Sequence, residues 1–299
     1  MTELELGAFL PQDEMRTPDD VFAWAEGIER LGYRYVVMAD HVVGLDPVVH
    51  PQTAPFGRPE PYTTKNRFLD PLVLIPALAA RTGLRFMTAV MPLPQRQAVL
   101  VAKQAATLAW LSQERLTLGI GLGYLEPEFQ ALGVPFAARA RRVEEQIEVM
   151  RRLWRDEVVG IDGEYHSFAG VGLNPRPASG AVPIWIGAST HAAPLARVGR
   201  LADGWLPLRV PKHGFEEDLA VVRAAAKEAG RGDLPLGIEG RVQLASGGPD
   251  VAARRAGSWF AAGATQVSVD AEHAGLRGVD AHLEALAAVV RQVREARHA

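Results

Sequence analysis

The stretch Tyr35-Val36-Val37-Met38-Ala39-Asp40-His41 decides the fold of this 299-residue chain. Its first five residues are apolar and rich in β-branched and aromatic types, which indicates a strand buried on both faces. Asp40 and His41 follow at the carboxyl end of this strand, where α/β proteins keep their chemistry. Taken alone, the two residues are as compatible with a structural histidine as with a functional one.

The sequence on both sides repeats an alternation of strand and helix. Before the stretch lies a strand over 4–10 and a helix that begins with Thr17 as N-cap and Pro18 at its first position and stops at Gly32. Apolar periodicity predicts further strands over 84–90, 115–121, 183–186, 204–208, 236–244 and 266–269, and helices over 69–81, 95–111, 137–155, 190–201, 214–229, 249–262 and 280–296.

This repeat gives eight strand–helix units without a linker between two cores. Parallel strands joined by right-handed helical crossovers close into a barrel when there are eight of them. We therefore predict an α/β protein with a single domain over residues 1–299, a (β/α)8 TIM barrel. An open doubly wound sheet is the alternative, and it is weakened because no Gly-x-Gly-x-x-Gly motif follows the first strand.

Two irregular segments interrupt the repeat, and we expect both to be insertions at the carboxyl-terminal mouth of the barrel. Residues 42–67 are rich in proline and have no clear period, which predicts a lid or substrate loop, with a disordered surface insertion as the alternative. Within 156–182, the pair Asp162-Gly163 predicts a hairpin outside the main repeat.

The composition excludes several classes of function. The net charge is −3 and the basic residues are scattered, so neither a nucleic-acid surface nor a membrane-binding basic patch is expected. The chain has no cysteine, which excludes disulfides and thiolate chemistry. No signal-peptide pattern and no apolar run of about 18 residues is present. We expect a cytoplasmic enzyme.

Four segments at predicted strand ends are candidates for the site: Asp40-His41, Thr88-Ala89-Val90, Gly121-Leu122-Gly123-Tyr124 and Gly187-Ala188-Ser189-Thr190. In the last of these, Ser189 or Thr190 can cap the following helix, whose free amides and dipole then suit a phosphate. A plain helix cap without a ligand is equally compatible with the sequence. The small residues of the other segments can admit a flat ring, or they can reflect tight turns and close packing.

Hydrolytic machinery is not evident. The chain has neither a Gly-x-Ser-x-Gly motif nor a His-Glu-x-x-His motif, and its histidines are dispersed, so we predict no metal site. A metal-dependent hydrolase that uses His41 and His191 is a minor alternative.

Between about residues 5 and 210 the chain resembles the luciferase-like monooxygenase superfamily, and within it the F420-dependent oxidoreductases. The segments that carry the resemblance are Leu31-Gly32-Tyr33, Ala39-Asp40-His41, Asp70-Pro71, Lys103-Gln104, Leu118-Gly119-Ile120-Gly121-Leu122-Gly123-Tyr124, Glu128-Phe129, Pro183-Ile184-Trp185-Ile186-Gly187 and Asp203-Gly204-Trp205.

The resemblance implies a TIM barrel that binds a flavin or the deazaflavin F420. Asp40 and His41 would lie near the reactive ring, with His41 positioning ring or substrate or taking part in proton transfer. At the position of Thr88, Ala89 and Val90, relatives carry a bulge with a non-proline cis peptide, here Ala89-Val90, that backs the ring. Gly187, Ala188, Ser189 and Thr190 would bind the cofactor phosphate, and Gly123 and Tyr124 would flank the ring or its tail.

Tyr124 departs from one pattern of this family. Some sugar-phosphate dehydrogenases carry a glutamate there as general acid, so oxidation of a sugar phosphate is not expected, and Tyr124 would donate a proton itself or stack.

The resemblance implies three functions in decreasing order of preference. The first is an F420-dependent oxidoreductase that passes a hydride between the deazaflavin and a small organic substrate held under residues 42–67. The second is an FMN-dependent monooxygenase of the same fold, and the third is a barrel that binds the cofactor without turnover. A homodimer is expected because dimers are frequent among relatives and among enzymes generally.

Overall fold

The structure is a computed structural model that describes residues 5–51, 62–208 and 214–298. The middle of the predicted lid segment therefore lies outside the described residues. The strands are β1 (Leu6–Phe9), β2 (Tyr35–Met38), β3 (Arg85–Thr88), β4 (Met91–Pro92), β5 (Leu116–Gly121), β6 (Val159–Asp162), β7 (Ser167–Val171), β8 (Ile184–Ala188), β9 (Gly204–Pro207), β10 (Gly237–Gln243) and β11 (Gln266–Asp270).

Nine of these strands form one sheet, in which β4 continues the path of β3. Its strands pair in the order β1-β2-β3-β5-β8-β9-β10-β11, and every pairing along this path is parallel. The sheet closes where β1 pairs with β11, with Leu6 beside Val267. The predicted (β/α)8 barrel is confirmed, and the open sheet is wrong.

Helices connect the strands and cover the outside of the barrel. They are α1 (Pro18–Leu31), α2 (Pro71–Ala79), α3 (Ala98–Ser112), α4 (Glu126–Ala131), α5 (Arg139–Arg155), α6 (Ala192–Leu201), α7 (Phe215–Glu228), α8 (Gly248–Ala261) and α9 (Gly278–His298). None of the helices in the described part of the chain combines the length and apolarity that crossing a membrane requires.

The first helix shows how local sequence sets these boundaries. Thr17 accepts a hydrogen bond from the Asp20 amide, and the Asp20 carboxylate accepts one in return from the Thr17 amide, which is a capping box. Gly32 ends the helix with a φ of 93°, a left-handed conformation that glycine adopts readily. Both ends of α1 match the sequence prediction.

The predicted elements and the observed ones differ around the mouth of the barrel. Strand β2 ends at Met38, so Asp40 and His41 lie in the loop that follows it. The predicted strand 84–90 is interrupted after Thr88 by a cis peptide bond between Ala89 and Val90, and pairing resumes in β4. A short 3₁₀ turn over Leu93–Gln95 then delays α3 until Ala98.

The core has two layers, because alternate residues of each strand face opposite sides of the sheet. The larger layer lies between strands and helices. The smaller layer fills the inside of the barrel and consists of Phe9, Tyr35, Val37, Met87, Ala89 and Leu206. Residues that continue this inward-facing set at the carboxyl ends of the strands form the floor of the mouth.

The predicted hairpin within 156–182 is confirmed: β6 and β7 pair antiparallel and form a separate sheet. Glu145 on α5 fastens their connecting loop. Its carboxylate accepts hydrogen bonds from the amides of Glu164 and Tyr165, and its Oε1 lies 2.7 Å from Nδ1 of His166.

Candidate active site

The Ala89-Val90 segment forms a platform at the mouth of the barrel. A Cβ added to Gly121 would lie 2.6 Å from Cγ2 of Val90, and one added to Gly187 would lie 2.8 Å from Cγ1 of Val90. Glycine at these two positions therefore lets the segment lean across β5 and β8. The cis peptide that the resemblance implied at Ala89-Val90 is confirmed.

His41 follows the strand next to this platform, because the amide of Ala89 donates a hydrogen bond to the carbonyl oxygen of Met38 at 2.7 Å. Its Nδ1 lies 3.6 Å from Oε2 of Glu128, and no other side-chain or backbone acceptor in the described residues bonds this nitrogen. Rings surround the imidazole, with centroid distances of 4.7 Å to Tyr62, 5.0 Å to Phe68 and 6.1 Å to Tyr124.

Glu128 is held in place from three sides. Its Oε1 accepts hydrogen bonds from the amides of Val42 at 2.6 Å and Val43 at 3.3 Å, and its Oε2 accepts one from the Gln95 side chain at 2.7 Å. Burial by itself opposes ionisation of this carboxyl, but His41 and Gln95 outweigh it and hold the pKa of Glu128 below its usual value. The residue beside His41 is thus a fixed carboxylate.

The ends of the predicted lid segment both reach this site. Val42 and Val43 bind Glu128 at one end, while Tyr62 at the other end packs on His41. A backbone bridge between Leu45 and Thr63 joins the two ends. The described ends of 42–67 therefore pack against His41 and Glu128. That the segment is a lid or substrate loop stays a prediction.

Asp40 binds Arg96, whereas His41 faces Glu128. Nη2 of Arg96 lies 2.9 Å and 2.8 Å from the two carboxylate oxygens of Asp40, and 3.2 Å from Oδ2 of Asp70. Burial raises the pKa of Asp40 above its usual value, although Arg96 opposes the shift. Asp70 also caps α2, so this cluster fixes the loops after β2 and β4 relative to each other.

Two predicted site residues have structural roles of their own. The hydroxyl of Thr88 is buried and donates to the carbonyl of Gly119 at 2.8 Å. Gly123 has a φ of +74°, and a Cβ there would lie 2.8 Å from the ring of Phe129, so its glycine is required by the turn and by packing. Tyr124, next to it, faces His41 as described above.

The structure does not place the N-cap of α6 at either of the predicted residues. The helix starts at Ala192 and its N-cap is His191, which makes no side-chain capping bond, so neither Ser189 nor Thr190 caps it. Ser189 and Thr190 instead extend the connection between β8 and the helix, because β8 continues to Ala188. The open end of α6 nevertheless keeps the amides and dipole that suit a phosphate.

Charged residues inside the barrel were missed by sequence reasoning. Glu239 and Arg241 lie two positions apart on β10, so they share the inward face with Asp270 of β11. The Cζ atom of Arg241 lies 4.3 Å from the centre of the Phe9 ring. Two charges at alternate positions of an otherwise buried strand were the signal that could have revealed them.

The role of Glu128 was missed as well. The residue lies in a segment that carries the family resemblance, but nothing in the sequence indicated that it lies beside His41.

A metal site was not predicted, and the described residues contain no group of three or more histidine and acidic side chains able to hold a metal ion. His191, which the hydrolase alternative required, is the N-cap of α6.

Comparison with known sequences decides the family. The family described as Luciferase-like monooxygenase matches residues 4–291, nearly the whole chain. The chain belongs to this family.

Curated relatives from Mycobacterium tuberculosis extend the match. Uncharacterized protein Rv0940c is 36% identical over 165 residues, which are 55% of this chain and 56% of that protein. The chain thus spans little more than half the length of that relative. An F420-dependent hydroxymycolic acid dehydrogenase is 30% identical over 264 residues, 87% of this chain and 68% of that enzyme.

Solved structures share the barrel fold with this chain at low sequence identity. An F420-dependent secondary alcohol dehydrogenase, in complex with an F420–acetone adduct, superposes with a TM-score of 0.77 at 15% identity over 98% of this chain and 100% of its own. A type II Baeyer–Villiger monooxygenase in complex with FMN, the oxygenating constituent of 3,6-diketocamphane monooxygenase from Pseudomonas putida, superposes at 0.73 with 14% identity over 98% of each chain. These likenesses support the luciferase-like barrel.

Proposed function

We propose that this luciferase-like protein is an F420-dependent oxidoreductase acting on a small organic substrate. The observation that carries the proposal is the Ala89-Val90 platform, which lies at the end of β3 between β2, which leads to His41, and β5, which leads to Glu128. The family's F420-dependent dehydrogenase, similar over most of this chain, favours F420 as the cofactor.

The residues at the mouth fit a flat ring with a phosphate-bearing side chain. Gly121 and Gly187 allow the platform to present its backbone and the Val90 side chain to one face of such a ring. Residues Gly187, Ala188, Ser189 and Thr190 lead to the uncapped end of α6, and we propose that these four bind the phosphate. When bound, F420 supplies the centre that gives or accepts a hydride.

His41 is the proposed catalytic residue. Its side chain is 11% exposed and packs against the rings of Tyr62, Phe68 and Tyr124, which shield it from water. With Nδ1 facing the Glu128 carboxylate, Nε2 is the nitrogen left to exchange a proton with a substrate oxygen. Tyr124 is the proposed second proton donor or stacking residue, and Asp40 positions the loop through Arg96.

An FMN-dependent monooxygenase is the second candidate, because a ring platform and a phosphate site serve FMN equally well and an FMN-binding monooxygenase shares the fold. Titration of the purified, cofactor-free protein with F420 and with FMN, followed by absorbance and fluorescence, separates the two. We expect saturable F420 binding, and FMN binding at least about tenfold weaker. Tight FMN binding without F420 binding would overturn the first choice.

His41→Ala tests the catalytic assignment and also separates turnover from mere cofactor binding. We expect the variant to bind F420 normally and to lose hydride transfer in a screen of alcohols and ketones that includes hydroxy acids and keto acids. Normal turnover at full cofactor occupancy would remove His41 from the mechanism.

We also propose a homodimer. Several large apolar side chains are exposed on α2 and α3, among them Val73 at 74%, Trp110 at 66% and Leu100 at 52% of their surface. Covering such residues with a second copy would remove apolar area from water. Sedimentation velocity at micromolar concentration tests this, with Trp110→Glu expected to give monomers. The cytoplasmic location stays a prediction.

A further inference from the structure

A cavity of about 310 Å³ lies between β9, β10 and α8, directly beside the platform. Ala89 and Val90 form one wall, Leu206 lines it from β9, and Arg241, Gln243 and Arg255 bring polar groups into it, together with the carboxyl group of Glu239. The proposed function assigns no role to this cavity or to its arginines.

Arg241 reaches this cavity from inside the barrel. Its guanidinium lies over the Phe9 ring, and Nη2 lies 3.4 Å from the carbonyl oxygen of Ala89, the first residue of the cis peptide. Within the described ranges, no carboxylate oxygen comes within 4.0 Å of its nitrogen atoms. Most of the hydrogen-bonding capacity of this guanidinium group is therefore available to a ligand.

The nearest acidic groups do not neutralise Arg241 fully. Glu239 and Asp270 interact with it over a longer range, yet burial raises the pKa of Glu239 to about 7 and that of Asp270 above its usual value. Both groups therefore bind protons more readily than exposed carboxyls do. A positive charge in a half-buried cavity with weakened counter-charges is favourable for an incoming anion.

Arg255 adds a second cation from α8. It lines the same cavity, it is exposed, and within the described part of the chain it makes no ion pair within 4.0 Å. Two guanidinium groups and the amide side chain of Gln243 thus line one cavity, and a guanidinium group matches the planar geometry of a carboxylate.

We propose that Arg241 and Arg255 bind a carboxylate group of the substrate, so that this enzyme acts on small organic acids and not on neutral alcohols or ketones. The proposal rests on the proposed function, which locates the cofactor ring on the platform. F420 also carries carboxylates in its tail, but the proposed phosphate site lies on β8 and α6. Arg241 instead contacts the platform itself, where a substrate must meet the ring.

The test begins with binding alone. Ligand-observed NMR measures the affinity of the cofactor-free protein for acetate and benzoate, with acetamide and benzamide as neutral matches of the same shape. We expect the acids to bind at least tenfold more tightly than the amides. Arg241→Gln should remove this preference, and Arg255→Gln should reduce it about threefold or more. The control is Arg254→Gln, the neighbouring residue on α8, which does not line the cavity and should change nothing.

Titration with cofactor distinguishes a carboxylate of the substrate from the carboxylates in the F420 tail. F420 and a deazaflavin riboside that lacks the phosphate and the acidic tail are each titrated into the wild type and Arg241→Gln. A loss of affinity only for F420 in the variant assigns the arginines to the cofactor's tail and overturns the substrate assignment. Unchanged F420 affinity, together with benzoate binding to the F420-loaded protein, supports it.

Failure of this inference differs from failure of the proposed function. Equal binding of acids and amides overturns the carboxylate site even when F420 binds normally. Absence of F420 binding overturns the proposed function whether or not acids bind. Circular dichroism checks the fold of Arg241→Gln, and Arg255→Gln, an exposed substitution, keeps the inference testable if the first variant does not fold.

Discussion

The carboxylate of Glu128 lies 3.6 Å from the imidazole of His41, measured from Oε2 to Nδ1. One residue follows β2 and the other lies in α4, so the contact forms only when the barrel places the loops after β2 and β5 together. The two amides and the Gln95 side chain that bind Glu128 leave it no freedom to move away from His41. Glu128 is in this sense a positioning residue for His41.

Glu128→Gln should therefore lower turnover without affecting cofactor binding. Glutamine keeps the shape of the side chain, and Gln95, whose Oε1 has no hydrogen-bond partner, can rotate its amide to match it. We expect kcat to fall by about 10- to 100-fold while the Kd for F420 changes less than about twofold. Steady-state kinetics and fluorescence titration measure the two quantities. A variant with full kcat would show that the carboxylate has no influence on His41.

The buried ion pair of Asp40 and Arg96 should respond asymmetrically to substitution. Arg96→Met leaves Asp40 buried without its counter-charge, which costs about 3–5 kcal/mol of unfolding free energy. Asp40→Asn combined with Arg96→Met removes both charges and should recover part of this loss. Urea unfolding of the single and double variants measures the effect. The control Arg155→Met, in an exposed pair with Asp156, should leave the stability nearly unchanged, and equal losses in the single and double variants would contradict the prediction.

Gly187→Ala should disturb the platform. The new methyl group would lie 2.8 Å from Cγ1 of Val90, and a β-branched side chain has few other rotamers to adopt. We expect F420 affinity to fall by about tenfold or more, which corresponds to about 1.4 kcal/mol. The control is Gly257→Ala in α8, where a Cβ meets nothing within 4 Å; it should stabilise the protein by up to about 1 kcal/mol. Unchanged affinity in Gly187→Ala would mean that the ring lies elsewhere.

Glu239 should make the stability of the protein depend on pH. Burial raises its pKa from 4.5 to about 7 in the folded state, so the folded protein retains a proton that the unfolded chain releases. The contribution of protonated Glu239 to the free energy of unfolding is complete below pH 4.5. It is lost as the pH rises to about 7, and the free energy of unfolding then falls by about 3 kcal/mol at most.

Glu239→Gln should remove this component. Denaturant unfolding at pH 5 and pH 8 gives the loss of stability in each protein, and the wild type should lose about 2–3 kcal/mol more than the variant. Other buried carboxyls, including Glu272, titrate in both proteins and cancel in the difference. If the unfolding free energies of the wild type and the variant change equally between pH 5 and pH 8, Glu239 does not contribute to the pH dependence of stability.

The barrel could be predicted because the sequence signals for its helices and strands lie within each element. The α1 helix carries its own cap at Thr17 and its own stop at Gly32, and each strand appears as a short apolar run. The mouth was predictable only in part, since Asp40 and Thr88 sit at strand ends as expected but turn their side chains toward Arg96 and Gly119. Which way a side chain faces depends on the partner strand, and a single sequence does not contain that register.

Long-range contacts account for what was missed. Glu128 belongs to one of the segments that carry the resemblance, and its role depends on contact with His41, which is distant in the chain. The start of α6 was placed too early because Ser189 and Thr190 are good capping residues, yet pairing of β8 with β9 extends as far as Ala188 beside Pro207. Sheet pairing outweighed local capping preference there.

The platform and the arginine cavity draw on different parts of the chain. Gly121 and Gly187 on β5 and β8 accommodate the platform, while Arg241 and Gln243 belong to β10. Substitutions at Gln243 and on α8 can consequently alter which molecule is accepted while Gly121, Gly187 and the contact of Arg241 with the platform stay in place. Such a division of labour makes this barrel a good starting point for directed evolution, in which libraries restricted to Gln243 and α8 would explore new substrates at little risk to cofactor binding.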